Sequence, residues 1–157
     1  MKVLITGAAG YIGSSLVEYL KTSGIASKIY AFDNLLYNQG QHVYKVLKDH
    51  SSFYRQDVLE FKEELVDCIG KADVIIPLAA IVGAPACDKI PEYSKAINQD
   101  WYHELLKYLE SHKNRPLLLY PNTNSGYGST GEEVCTEETP SNPLSMYAIT
   151  KQNTEDY

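Results

Sequence analysis

Basic charge, paired cysteines and long apolar runs are all in short supply in this chain, and each shortage removes a class of protein. Its 157 residues carry 14 Lys and Arg against 20 Asp and Glu, a net charge of −6. No basic surplus is left to neutralise the phosphates of a nucleic acid or an anionic membrane, and the lysines form no block. The longest uncharged stretch, Val74 to Cys87, is too short to span a bilayer and contains Pro77 and Pro85. The opening MKVLITGAAGYIG lacks a small-residue cleavage site and becomes glycine-rich too early for a signal peptide. Three cysteines (Cys68, Cys87, Cys135) are an odd number without CxxC spacing, and the four histidines form no HxxxH pair. Neither a disulfide framework nor a metal site is expected, and a reducing cytoplasm is the expected compartment.

What is present is ordinary for a globular chain: 44% hydrophobic and 22% charged residues, long enough for one domain over residues 1–157 with a real core. Short apolar runs alternate with amphipathic ones. KVLIT (2–6), KIYAF (28–32), SFYRQ (52–56), DVIIPLAA (73–80) and PLLLYP (116–121) read as strands. Helices are expected over 11–23 with Ile12, Leu16 and Leu20 inward, and over 59–70 with Leu65, Val66 and Ile69 inward. A long helix within 91–112 would bury Ile97, Trp101, Leu105, Leu106 and Leu109, and a last one would begin near Asn142-Pro143. Continuously apolar strands separated by helices indicate a parallel sheet covered on both faces. The expected fold is therefore an α/β doubly wound domain of Rossmann type, five strands in the order 3-2-1-4-5.

Thr6-Gly7-Ala8-Ala9-Gly10-Tyr11-Ile12-Gly13 falls between the first strand and the first helix. There Gly7 permits a tight turn, Gly10 lets backbone approach a pyrophosphate, and Gly13 lets the helix pack close to the strand. The helix amides that follow attract anions. A glycine turn that merely packs helix on sheet is the alternative, but Asp33 argues for a ligand. It ends the second strand twenty residues beyond Gly13, where a carboxylate accepts both hydroxyls of an adenosine ribose and repels a 2′-phosphate. No Arg lies nearby, so NAD is favoured over NADP. Asp57-Val58 suits the adenine edge, and Leu78-Ala79-Ala80 offers small side chains where a dinucleotide passes close to backbone.

Near the other end stands Tyr147-Ala148-Ile149-Thr150-Lys151. A Tyr and a Lys four apart share a helix face. With 13 Tyr, and with all 14 basic residues being Lys except Arg55 and Arg115, such spacing is uninformative by itself. Chance supplies about one instance, and Tyr44-Lys48 is a second. Position separates them. Ligands bind beyond the carboxyl ends of parallel strands, and the fifth strand ends there in Tyr120-Pro121-Asn122-Thr123. Tyr147 can reach Thr123, whereas Tyr44 follows strand two on the adenine side. A free phenol titrates near ~10; a neighbouring ammonium and an oxidised nicotinamide both favour phenolate. Tyr147 could then take a proton from a substrate hydroxyl, with Thr123 holding that oxygen and Lys151 binding the nicotinamide ribose. Asn98, on the long helix, could line the same space, although a helix-surface Asn is the commoner explanation.

TGAAGYIG (6–13), Asp33-Asn34, Asp57-Val58, LAA (78–80), NTNSGYG (122–128) and EETPSNPLSMYAITK (137–151) together resemble the extended short-chain dehydrogenase/reductase family, specifically its nucleotide-sugar epimerases and dehydratases. The resemblance implies bound NAD, held by the glycine loop, Asp33, Asn34, Asp57, Val58, LAA, Asn98, Tyr147 and Lys151, and catalysis by Thr123, Tyr147 and Lys151. It implies a nucleotide-sugar substrate (UDP-, GDP- or dTDP-linked), transient oxidation to a ketone, and a second copy of the chain as candidate partner. Three positions depart from the pattern. Pro77 stands where many relatives have His, and Gly126 stands for a more usual Val. Asn124 and Ser125 occupy the places where sugar 4,6-dehydratases carry acidic residues, so a 4-epimerase is expected ahead of a dehydratase, a reductase or a non-catalytic NAD-binding module. Family members run to about twice this length, so the chain is expected to be an N-terminal portion without the sugar-nucleotide-binding region.

Overall fold

The computed structural model describes residues 1–38, 51–129, 131 and 134–157. The Tyr44-Lys48 pair lies outside the described residues. Contacts divide the chain into two compact units: Met1–Ala79 with Lys107–Pro121, and Ala80–Leu106 with Asn122–Tyr157.

The first unit is a parallel five-stranded sheet. Its strands are β1 (Lys2–Thr6), β2 (Lys28–Asp33), β3 (Ser51–Arg55), β4 (Val74–Pro77) and β5 (Leu117–Leu118), in the order β3-β2-β1-β4-β5. In register, Val3 faces Ile29 on one side and Val74 on the other. Period-2 alternation divides the side chains between the faces. Val3, Ile5, Ile29 and Ala31 pack with Val17 and Leu20 of helix α1 (Tyr11–Thr22). Tyr30 and Tyr54 point the other way, where Tyr54 lies against Cys68 of helix α2 (Glu63–Lys71). Helices therefore cover both faces, as a sheet of continuously apolar parallel strands requires.

The second unit is helical. It contains α3 (Ala84–Lys89), α4 (Pro91–Lys95), a π turn (Ala96–Asp100), the start of α5 (Trp101–Ser111), a 3₁₀ turn (Asn124–Tyr127) and α6 (Met146–Glu155). Asn98 within the π turn is fully buried. Its Oδ1 accepts from Ile81 N at 2.9 Å and its Nδ2 donates to Ile81 O at 2.9 Å. That one amide completes both backbone groups of a buried loop residue, which left unpaired would be costly. Thr154 of α6 donates to the Asn98 carbonyl at 3.1 Å, which ties α6 to the π turn.

Several elements differ from their sequence expectations, each for a local reason. The helix expected from residue 59 starts at Glu63, because Asp57 caps a short 3₁₀ turn (Val58–Glu60) and Phe61 adopts φ 42. The long helix is broken by the π turn, a common accompaniment of functional sites. Strand four stops at Pro77, although Leu78 N still donates to Thr6 O. The fifth strand spans Leu117–Leu118 instead of 116–121, with Leu119 N still bonded to Ile75 O. The last helix starts at Met146, because Ser145 is extended and its hydroxyl caps Ala148 N at 3.1 Å. Ile12 is 64% exposed; Gly13, Val17 and Leu20 form the inner face of α1.

That last difference is testable by urea unfolding without cofactor. Ile5, fully buried between strands and α1, should lose about 2–5 kcal/mol of stability as Ile5→Ala. Ile12→Ala should stay within about 0.5 kcal/mol of the parent.

Candidate active site

In the first unit the loop after β1 is shaped by close backbone approaches. Gly7 adopts φ +67, and a Cβ there would meet Ala79 N and the Leu78 carbonyl carbon at 2.7 Å. A Cβ at Gly13 would lie 2.2 Å from Gly7 O. No side chain larger than hydrogen fits at either place. Thr6 Oγ1 accepts from Ala79 N at 3.2 Å, so Leu78-Ala79 is drawn onto the loop from both sides. The first turn of α1 has neither a side-chain cap nor an acidic residue, and its positive end is left for an anion. Tyr11, 91% exposed, stands beside it.

Asp33 holds this loop from β2. Its Oδ2 accepts from Ala9 N at 2.9 Å and its Oδ1 from Leu35 N at 2.8 Å. Each oxygen keeps a lone pair for a hydroxyl, so the carboxylate is oriented but not exhausted. Asn34 Nδ2 donates to Asp57 Oδ2 at 2.9 Å, and Asp57 Oδ1 accepts from Leu59 N at 3.0 Å. Val58 beside it is buried. Gly7, Ala9, Gly10, Tyr11, Ile12, Gly13, Asp33, Asn34, Asp57, Val58, Leu78 and Ala79 thus all fall in this unit, and its glycine cradle, free helix end and preset carboxylate fit a dinucleotide.

Ala80, Asn98, Thr123, Tyr147 and Lys151 fall in the second unit. Asn98 is not a surface residue; its amide braces Ile81. Thr123 and Tyr147 do meet: the Thr123 hydroxyl is close enough to favour the Tyr147 phenolate. Thr123 Oγ1 also accepts from Ser125 N at 3.2 Å and donates to Ser125 Oγ at 3.2 Å. Asn122 accepts from Thr123 N at 2.8 Å and donates through Nδ2 to Glu155 of α6. Gly126 O accepts from Asn142 N at 2.8 Å and from Ser141 Oγ at 3.2 Å, and Ser141 Oγ donates to Gln152 Oε1 at 3.0 Å. The loop carrying Thr123 is therefore anchored to the same helix that carries Tyr147.

Lys151 is only 2% exposed, and its Nζ lies 5.2 Å from the ring centroid of Tyr102. Burial lowers its pKa to about 8. Tyr147 moves the opposite way. Burial raises its pKa, the Cys87 thiol adds to that, and the hydrogen bond from Thr123 offsets it in part. The expected lowering by the Lys151 ammonium is not among the influences on Tyr147, of which desolvation of the phenolate is the largest.

Asn122, Ser125, Gln152, Glu155 and Tyr102 join the site although the sequence marked none of them as catalytic or cofactor-binding. The first two flank Thr123 and the next two follow Lys151, so adjacency to the motifs was an available signal. Tyr102 gave none. Among the described residues no group of His, Cys, Asp and Glu could hold a metal, and no helix is long and apolar enough to cross a membrane.

A β3-β2-β1-β4-β5 sheet with a glycine cradle and a ribose-ready carboxylate after its first two strands defines a dinucleotide-binding α/β domain, here accompanied by a Thr–Tyr–Lys constellation. Residues 3–157 match the NAD dependent epimerase/dehydratase family, and the chain belongs to it. It is 27% identical to a UDP-glucose 4-epimerase of Mycolicibacterium smegmatis over all of this chain and 50% of that protein. It is 30% identical to a dTDP-D-glucose 4,6-dehydratase of Dictyostelium discoideum, covering 98% of this chain and 38% of that one. A crystal structure of UDP-glucuronic acid 4-epimerase from Bacillus cereus, in complex with UDP-glucuronic acid and NAD, superposes with a TM-score of 0.84. There the identity is 28%, over 99% of this chain and 50% of that one. The chain thus spans half or less of the length of these relatives.

The burial of Lys151 sets a pH dependence. Its folded pKa of about 8 lies below the ordinary 10.5, so between those values the unfolded chain binds more protons and stability rises with pH. Replacing Lys151 by Met removes this contribution and leaves the other titrating groups common to both proteins. The advantage of Lys151→Met over the parent should be largest below pH 8 and shrink progressively toward pH 10.5 in urea melts; a constant difference would contradict a buried, desolvated amine.

Proposed function

We propose that this chain is the cofactor-binding and acid–base portion of an NAD-dependent nucleotide-sugar 4-epimerase. The observation that carries the reading is the Thr123 hydroxyl set beside Tyr147, whose pKa it draws down in part, with Lys151 buried one turn along the same helix. The glycine loop and α1 amides hold the pyrophosphate, Asp33 the adenosine ribose, and Asn34, Asp57 and Val58 border the adenine. NAD, when bound, supplies reversible hydride acceptance from the sugar carbon. Tyr147 takes the proton from the 4-hydroxyl and later returns one. Thr123 Oγ1 hydrogen-bonds the same oxygen and fixes its direction, and Lys151 supports the phenolate electrostatically and donates to the nicotinamide ribose. A nucleotide sugar is the substrate class, and a homodimer is the proposed assembly.

Dehydratase and reductase chemistry on the same scaffold are the alternatives. The residues after Thr123 weigh against the first. Asn124 and Ser125 are neutral, so elimination of water across C5–C6 lacks its obvious acid and base there. Binding of NAD without turnover is the remaining alternative.

The test pairs the two tyrosines. In protein that interconverts UDP-sugar epimers, Tyr147→Phe should cost about 10²–10⁴-fold in kcat, with bound NAD retained, and Tyr44→Phe should leave turnover unchanged. Equal losses would remove the assignment of Tyr147. A dehydrated product by mass spectrometry, or net consumption of reduced cofactor, would replace epimerase by one of its alternatives.

A further inference from the structure

Tyr102 occupies the first turn of α5, immediately after the π turn, and is 1% exposed. Trp101 stacks edge-on against it, with ring centroids 4.8 Å apart and planes at 75°. The Nζ of Lys151 stands 5.2 Å from the Tyr102 centroid, inside the ~6 Å range in which a ring face attracts a cation. Both partners are shielded from water, which is where such an attraction is strongest.

We propose that the buried ring of Tyr102 is the seat of the Lys151 ammonium, making Tyr102 a positioning residue that aims this cation at Tyr147. The inference rests on the role given to Lys151 in the proposed function. Three features support it. A lysine has four rotatable bonds and a strongly hydrated head, so its direction in a buried site must come from what surrounds it. The ring itself is fixed: Trp101 supports it, and the adjoining π turn is pinned through Asn98 to Ile81 and through Thr154 to α6. The ring also has a role distinct from that of any other partner of Lys151. Tyr147 and Cys87 lie toward the interior and are neutral when protonated. Asp88, Lys89 and Glu92, then Glu104 and Lys107 of α5, and Glu155 and Asp156 at the end of α6 are exposed, His103 is half-buried, and Lys95 is ion-paired with Asp100 at 2.7 Å. A ring face steadies the ammonium without adding a carboxylate, whose negative charge would oppose ionisation of the nearby phenol. The arrangement supplies orientation and some recovery of lost hydration at no electrostatic cost to Tyr147.

The test reads Lys151 directly, in this chain without cofactor. Side-chain carbon and proton resonances of lysines are followed by NMR through a pH titration, with the Lys151 signal identified by its loss in Lys151→Arg. In the parent, the Lys151 methylene protons should resonate upfield of an exposed lysine, because they lie over a ring face. In Tyr102→Phe, which keeps the face, both the upfield position and the titration midpoint should persist. In Tyr102→Leu the upfield position should vanish and the midpoint fall by about one pH unit. No upfield displacement in the parent would overturn the seat without any variant having to fold. A Tyr102→Phe chain that behaves like Tyr102→Leu would overturn it too, by assigning the effect to the hydroxyl. An NAD titration of the parent separates this inference from the one beneath it. Failure to bind NAD while Lys151 responds to the ring counts against the proposed function alone; NAD binding with an indifferent Lys151 counts against the seat alone.

Discussion

An amine taken out of water is the constraint around which the second unit is organised. Lys151 is a long, strongly hydrated side chain with almost no exposure, and an unsupported ammonium in that position is expensive. Its burial dictates what surrounds it. α6 must pack along most of its length, and it does so through Ala148, Thr150 and Thr154, all buried. Thr150 and Thr154 turn their hydroxyls back onto helix carbonyls, and Thr154 also reaches Asn98 O. The polar groups on the buried face are thereby satisfied inside the unit, and Tyr102 presents a face to the charge.

The first unit is organised by a different limit, the distance at which backbones can pass. Gly7 against Leu78-Ala79 and Gly13 against Gly7 leave no volume for a side chain. Asp33 adds order to proximity by bonding Ala9 N, and the following turn by bonding Leu35 N. The amides of Ala8, Ala9 and Gly10 are bonded inside the molecule, to Phe32 O, Asp33 Oδ2 and Gly7 O, so the uncapped first turn of α1 is what this loop leaves for an anion. The same carboxylate that shapes the loop is the group expected to meet the ribose, so one residue ties the folding of the loop to its recognition chemistry.

The sheet was legible because parallel strands buried on both faces write themselves as unbroken apolar runs, and KVLIT and KIYAF did so. The cofactor loop was legible because glycine is the only residue for two of its positions. Boundaries were less so. DVIIPLAA looks apolar throughout, but pairing ends at Pro77, and apolarity does not say where a ladder stops. Ile12 fits the helical period as well as Val17; it lies outside because the inner face at that turn belongs to Gly13, whose lack of a side chain lets α1 approach. Thr123 and Tyr147 could be paired from strand order alone. Tyr102 could not be linked to Lys151, since a contact between residues 49 apart in sequence leaves no period, cap or turn signature. The π turn was hidden for a related reason: its cause is the buried demand of Ile81 for an amide, not a preference of AINQD itself.

The two central groups of the constellation are pushed by burial toward neutrality, and this sets the terms on which they cooperate. The lysine would rather lose its proton, at about pH 8, and the phenol would rather keep its own. A phenolate at neutral pH therefore needs positive charge close by, yet the environment that strengthens each interaction also weakens the cation providing it. Thr123 is the one neighbour that draws the phenol downward by a hydrogen bond, and a threonine does so without adding charge. The ring of Tyr102 acts likewise on the other partner, favouring the ammonium through a quadrupole. A carboxylate in either place would hold the lysine charged more firmly but would oppose ionisation of Tyr147. Thr123 and the Tyr102 ring are both neutral, so each favours the charged form of its own partner without opposing that of the other.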